Sequence, residues 1–110
     1  GGTEPVKGGM DLNKRTMALD ISKAVKQRVY QRDGGLCVIC RRPGAPNAHY
    51  VSRAQGGLGI EENILTLCSD CHRAYDQSPM REYIKRDLTA YLRSKYKDWD
   101  NIRLTYRKGI

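Results

Sequence analysis

Two short stretches, Cys37-Val38-Ile39-Cys40 and Cys68-Ser69-Asp70-Cys71, decide how this chain can fold. A C-x-x-C turn sets two thiolates about 3.5 to 4 Å apart on one side of a tight loop, and two such turns supply the sulfur tetrahedron that zinc prefers. The 27 residues between them (41–67) must then close into a loop around one point. Two disulfides are one rival, and the opening GGTEPVKGGM argues against them because it lacks the apolar region of a signal peptide. A redox C-x-x-C is another, but it needs a single pair on a thioredoxin-like βαβ pattern. With Cys37, Cys40, Cys68 and Cys71 filling every position, a zinc ion there has no place for water and is expected to hold the fold.

The rest of the chain explains why such a staple is needed. Its 110 residues allow one compact domain and exclude two cooperating catalytic domains. Only 39% are hydrophobic and none is Phe, whereas 29% are charged, so the core is thin and the surface large. No run reaches the 18 or so apolar residues of a membrane span. The expectation is a soluble protein of the cytoplasm. Residues 1–18 are expected to be a flexible lead-in, with Met10 and Met17 as candidate natural starts and the domain proper over 19–110.

A formal charge of +8, from 20 Lys and Arg against 12 Asp and Glu, favours a polyanionic partner such as nucleic acid or an anionic membrane. The excess is uneven. Residues 21–33 carry four bases and one acid, residues 34–78 four and four, and residues 79–110 nine and four. Every Cys and both His lie in the neutral middle, flanked by basic elements. In the first of these, Ile21, Val25 and Val29 recur every four residues from a Ser22 or Asp20 cap, predicting a helix to Arg32 that Asp33-Gly34-Gly35 ends. Lys23 and Lys26 fall on its polar side, either as a phosphate-binding face or as an ordinary solvated one. Residues 36–40 are expected to be a short strand.

After Ser78-Pro79 the apolar positions Met80, Tyr83, Ile84, Leu88, Tyr91 and Leu92 follow helical spacing and predict a core stripe folded back on the first helix. Its other face carries Arg81, Lys85, Arg86, Arg93, Lys95 and Lys97, suited to phosphate contact with little base reading. Asp98-Trp99-Asp100 is expected to close that helix, and residues 102–106 to be extended. An anionic membrane is disfavoured, because the apolar face that would insert is required for the core.

Between the knuckles lie His49, then Tyr50 and Val51 as a predicted strand, then a sharp loop at Gly56-Gly57, then Asn63 before Ile64-Leu65-Thr66-Leu67. His72 follows the last cysteine in a predicted short helix over 71–76. Each has a bland alternative: a surface or core histidine, a turn-forming Asn, a spare zinc ligand. Arg53 is either a phosphate clamp or an ion-pair partner of Glu61 or Glu62. Tyr50 and Tyr75 are expected to be packing residues.

Taken in order, these pieces resemble the HNH endonucleases, whose domain is also called the ββα-metal fold. The resemblance covers about residues 19–98: Arg-Asp-Gly-Gly-x-Cys-x-x-Cys at 32–40, His49 with Arg53-x-x-Gly-Gly, Asn63 before Ile-Leu-Thr-Leu-Cys, and Cys68-x-x-Cys-His. It is most similar to small HNH proteins of tailed bacteriophages. An α+β fold is thus expected, with a small zinc-stapled ββα-metal core flanked by N-terminal and C-terminal helices. The resemblance implies a phage or prophage DNA endonuclease in a bacterial host cell, with genome-packaging proteins as partners. It makes His49 the general base, Asn63 its orienting partner, and His72 the ligand of a divalent cation such as Mg²⁺ or Mn²⁺, distinct from the zinc. One departure stands out: many members carry Asp or His just before the base, and here that position is Ala48. Asp76, one helical turn after His72, is the candidate second ligand. The alternative is a non-catalytic zinc module that binds DNA or protein.

Overall fold

The computed structural model describes residues 14–107 of the 110; residues 1–13 of the expected lead-in lie outside the described part. The remainder of that lead-in is not loose chain: residues 14–19 are helical (α1), and Leu19 is fully buried. Then follow α2 (Lys23–Arg32), β1 (Ala45–His49), β2 (Ile64–Leu67), α3 (Ser69–Gln77) and α4 (Arg81–Lys95), with short 3-10 turns at Arg53–Gln55, Glu61–Asn63 and Asn101–Leu104. This is an α+β architecture around one two-stranded antiparallel sheet.

Helix α2 starts as its sequence directs, since the Ser22 hydroxyl accepts a hydrogen bond from the Val25 amide and Val25 and Val29 are its buried face. In the sheet Ala48 faces Leu65 and His49 faces Ile64, while Ala45 faces Leu67, so β1 holds one extra residue. Every residue of β2 is buried. Such a four-residue run, covered on both faces, has no period to read in sequence. Cys68 then serves as the N-cap of α3, its sulfur accepting from the Cys71 amide. The second cysteine knuckle and the helix start are one turn of chain.

The main core joins Tyr50, Leu65, Leu67, Tyr75, Leu88, Leu92 and Leu104 under the sheet, and Val25, Val29 and Ile64 form a second, smaller cluster. Tyr50 and Tyr75 are packing residues, buried at 3% and 0% exposure. The Tyr75 hydroxyl donates to the Tyr50 carbonyl, and the Tyr50 ring meets Trp99 edge-on at 5.2 Å.

Five expectations are corrected. Residues 36–40 form turns with one isolated bridge between Leu36 and Pro43, because two thiols of one C-x-x-C must face the same side and a strand alternates them. The strand at His49 precedes that residue rather than following it, and residues 50–52 bend away. Helix α4 ends at Lys95 instead of Asp98–Asp100, and the tail after it is a 3-10 turn at Asn101–Leu104. Of the predicted α4 stripe, Met80 and Tyr83 are exposed at 52% and 63%; only the part from Ile84 onward meets the core, packed mainly on α3.

Candidate functional site

The four cysteine sulfurs all lie within 4.8 Å of one another, and all four cysteines are free thiols. Tetrahedral zinc with bonds of about 2.3 Å puts its sulfurs about 3.8 Å apart. The Cys40 and Cys68 sulfurs are 3.5 Å apart, so the donor set fits a metal ion of that size. Arg42 supports the negative charge such a cluster carries: its guanidinium donates to the Cys40 sulfur at 3.4 Å and pulls that thiol down to about 6. Burial, with the neighbouring sulfurs, pushes the Cys71 thiol the other way. Four thiolates this close repel one another unless a cation sits among them.

A second, separate place gathers the histidines. His49 at the end of β1 and His72 on α3 line one cleft of about 930 Å³, together with Lys26, Arg53, Asp76 and Arg81. The His49 ring is oriented by Leu19, whose carbonyl oxygen lies 2.9 Å from Nε2. A carbonyl can only accept, so Nε2 carries the proton and Nδ1 of the neutral ring keeps a free lone pair. Burial lowers the His49 pKa from its ordinary value; Arg53 and His72 push the same way, against the Leu19 bond and Asp20. The neutral, proton-accepting ring is therefore favoured near neutrality.

His72 and Asp76 sit one turn apart on α3, with Nε2 3.4 Å from Oδ2. Both point into the cleft as a nitrogen and oxygen donor pair suited to a divalent cation. Ala48 is 1% exposed and faces the core, so any side chain there would enter the hydrophobic cluster rather than the cleft.

Asn63 is fully buried and does not line the cleft. Its Oδ1 accepts from the Val51 amide, and its Nδ2 donates to the carbonyls of Val51 and Leu58. Its carbonyl accepts from the Tyr50 amide, immediately after His49. The side chain thus ties both ends of the loop that leaves the histidine, and makes no bond to the imidazole.

The basic residues divide. Arg53 pairs with Asp20 at 2.8 Å, not with Glu61 or Glu62, because Glu61 faces away and holds Arg28. Arg81 lines the cleft but donates to the Tyr75 carbonyl and stacks 4.1 Å over the Tyr75 ring. Lys26 reaches the cleft; Lys23 is exposed outside it, and Lys85 is partly buried, with its ammonium 5.6 Å over the Tyr50 ring, in a groove of α4 shared with Arg86 and Arg93. Sequence reading missed Asn47, Ser52 and Asp20, which also line the cleft. The sequence carried no signal for Asn47, because the strand was expected to follow His49 and the register shift between Ala45 and Ala48 interrupts the alternation before it. Leu19 carried none, since its contribution is a backbone oxygen.

Among the described residues no helix is long and apolar enough to cross a membrane. No curated protein matches the chain. The family model for the HNH endonuclease does match, over residues 37–78. That span runs from the first cysteine of the sulfur cluster to the residue that caps the end of α3, and so encloses both strands, the cleft histidines and all four thiols. Over residues 37–78 the chain is thus similar to the HNH endonuclease domain.

Proposed function

We propose that the protein is a metal-dependent DNA endonuclease that hydrolyses phosphodiester bonds, nicking or cutting duplex DNA. The observation that carries this reading is the convergence in one cleft of an oriented neutral imidazole, a His–Asp donor pair and an Arg. His49 accepts the proton of the attacking water at Nδ1, while Nε2 keeps its proton and donates it in a hydrogen bond to the Leu19 carbonyl. Asn63 keeps the following loop in register, so that Arg53 stands beside the base. The Arg53 guanidinium, held at one nitrogen by Asp20, offers its remaining N–H donors to phosphate oxygens. Lys26 adds charge at the cleft wall. His72 and Asp76 would hold a divalent cation, Mg²⁺ or Mn²⁺, which when bound neutralises charge on the phosphate and the leaving oxygen.

The Cys37, Cys40, Cys68 and Cys71 cluster would hold zinc and serve the fold alone. Lys23, Lys85 and Arg81 extend the basic surface toward flanking phosphates, Arg81 while remaining on the Tyr75 carbonyl. The wider assignment, a phage or prophage protein of the bacterial cytoplasm acting with genome-packaging proteins, rests on sequence resemblance. Residues 19–110 would act as one domain, with α2 and α4 as its flanks.

Incubation with supercoiled plasmid and a series of divalent ions tests the reading. Nicking is expected with Mg²⁺ or Mn²⁺, and is expected to vanish in His49→Ala with zinc content retained. Absence of cleavage with every ion would favour a non-catalytic zinc module that binds DNA or protein.

A further inference from the structure

The base of this site is oriented from outside the matched span of 37–78, by the turn of chain that ends α1, Ala18 to Asp20. Three successive residues of that turn each make a contact to the catalytic loop. The Ala18 carbonyl accepts from the Gly59 amide at 2.9 Å, the Leu19 carbonyl meets His49 Nε2 at 2.9 Å, and the Asp20 carboxylate holds Arg53 at 2.8 Å. The turn is anchored from within, since the Leu19 side chain is 2% exposed.

A second, independent feature lies on the other side of the contact. A Cβ at Gly59 would stand 2.0 Å from the Asp20 carbonyl oxygen, 2.6 Å from its carbon and 3.0 Å from the Leu19 oxygen. These are backbone atoms, which cannot swing aside as a side chain does. Any residue other than glycine at 59 therefore lifts the turn, and with it the acceptor of the His49 proton.

We propose that residues 18–20 form a positioning strap for the site, seated on Gly59, with Leu19 setting the tautomer and direction of His49 and Asp20 setting the place of Arg53. Its effect on catalysis rests on the nuclease reading; its effect on the imidazole does not. Leu19, Asp20 and Gly59 are positioning residues, and the matched span without the strap lacks the acceptor that fixes its base.

The test uses the full chain loaded with zinc. In protein with ¹⁵N-labelled histidine, long-range ¹H–¹⁵N correlation is expected to show His49 as the Nε2–H tautomer. Gly59→Ala is expected to mix the two tautomers and lower kcat roughly 10- to 100-fold, with KM and zinc stoichiometry nearly unchanged. Leu19→Ala is expected to act in the same direction, and Leu19→Met to restore both readouts. A wild-type His49 carrying its proton on Nδ1 overturns the proposal whatever the variants do. So does a Gly59→Ala protein that keeps the wild-type tautomer and kcat. If no divalent ion supports cleavage by the wild type, the nuclease reading fails, and the tautomer in wild type and Gly59→Ala still decides the strap.

Discussion

Asp33 shows how much one residue can do that its sequence position conceals. It follows α2 before two glycines, where it looks like a turn former, yet its side chain is fully buried. Its carboxylate takes two bonds from Arg32, one from the Tyr91 hydroxyl and one from the Thr66 amide. Arg32 in turn donates to the carbonyls of Glu61 and Ile64 and to the Tyr96 hydroxyl. Burial disfavours the Asp33 charge, but these donors outweigh it and hold its pKa below the usual aspartate value. The native state therefore binds this proton less readily than the unfolded chain. The resulting stability is fully present above about pH 4 and is lost as pH falls through the lower native value. Asp33→Ala strands the buried Arg32 and is expected to cost roughly 3 kcal/mol in denaturant melts of the zinc-loaded protein, with a flatter acid limb. At His49 the lowered pKa has a kinetic counterpart. On the proposed reading His49 is the base and must be neutral to act, so the acid limb of a kcat/KM profile is expected to have its midpoint below about 6.5.

At the scale of elements, the second knuckle and α3 share a residue, which couples metal to helix. Cys68 is at once a member of the sulfur cluster and the N-cap of α3, and α3 carries His72 and Asp76. Chelation of the metal is expected to unwind the start of α3 and loosen the cleft, seen as loss of helical circular dichroism together with loss of divalent-cation binding. Strand β2 offers a contrary case. The Thr66 hydroxyl is buried and has no hydrogen-bond partner among the described residues, so Thr66→Val is expected to leave the melting temperature unchanged or raise it.

Across the whole molecule, the chain outside the matched span closes around the loop 51–59. The strap holds its end at Gly59, the Leu104 carbonyl accepts from Leu58, and the Tyr106 amide donates to Gly56. Trp99 donates to the Glu62 carbonyl and packs on Tyr50, so the segment after α4 reaches both sides of the site. The basic excess lies on α2 and along α4, where Lys85, Arg86 and Arg93 share a groove and the Lys85 ammonium stands 5.6 Å over the Tyr50 ring. If that groove meets phosphates, DNA affinity falls steeply with salt. Lys85→Ala with Arg93→Ala is then expected to shrink the slope of log K against log[salt] by about 2, without changing zinc content.

The local signals in the sequence were strong where geometry is local. Two C-x-x-C turns can face only one way, Ser22 with its four-residue apolar spacing makes α2, and one turn separates His72 from Asp76. The resemblance found through His49, Asn63 and His72 agrees with the family match, because spacing along the chain carries that pattern. Other features exist only once distant backbone meets. Leu19 contributes a carbonyl, which every residue possesses, and Gly59 matters for a neighbour 39 positions earlier in the chain. The partner of Arg53 is Asp20 rather than the nearer Glu61, since the fold turns Glu61 toward α2. Sequence spacing expresses what adjacent residues can do along a turn or a strand; which groups from separate elements come within bonding distance is settled by packing.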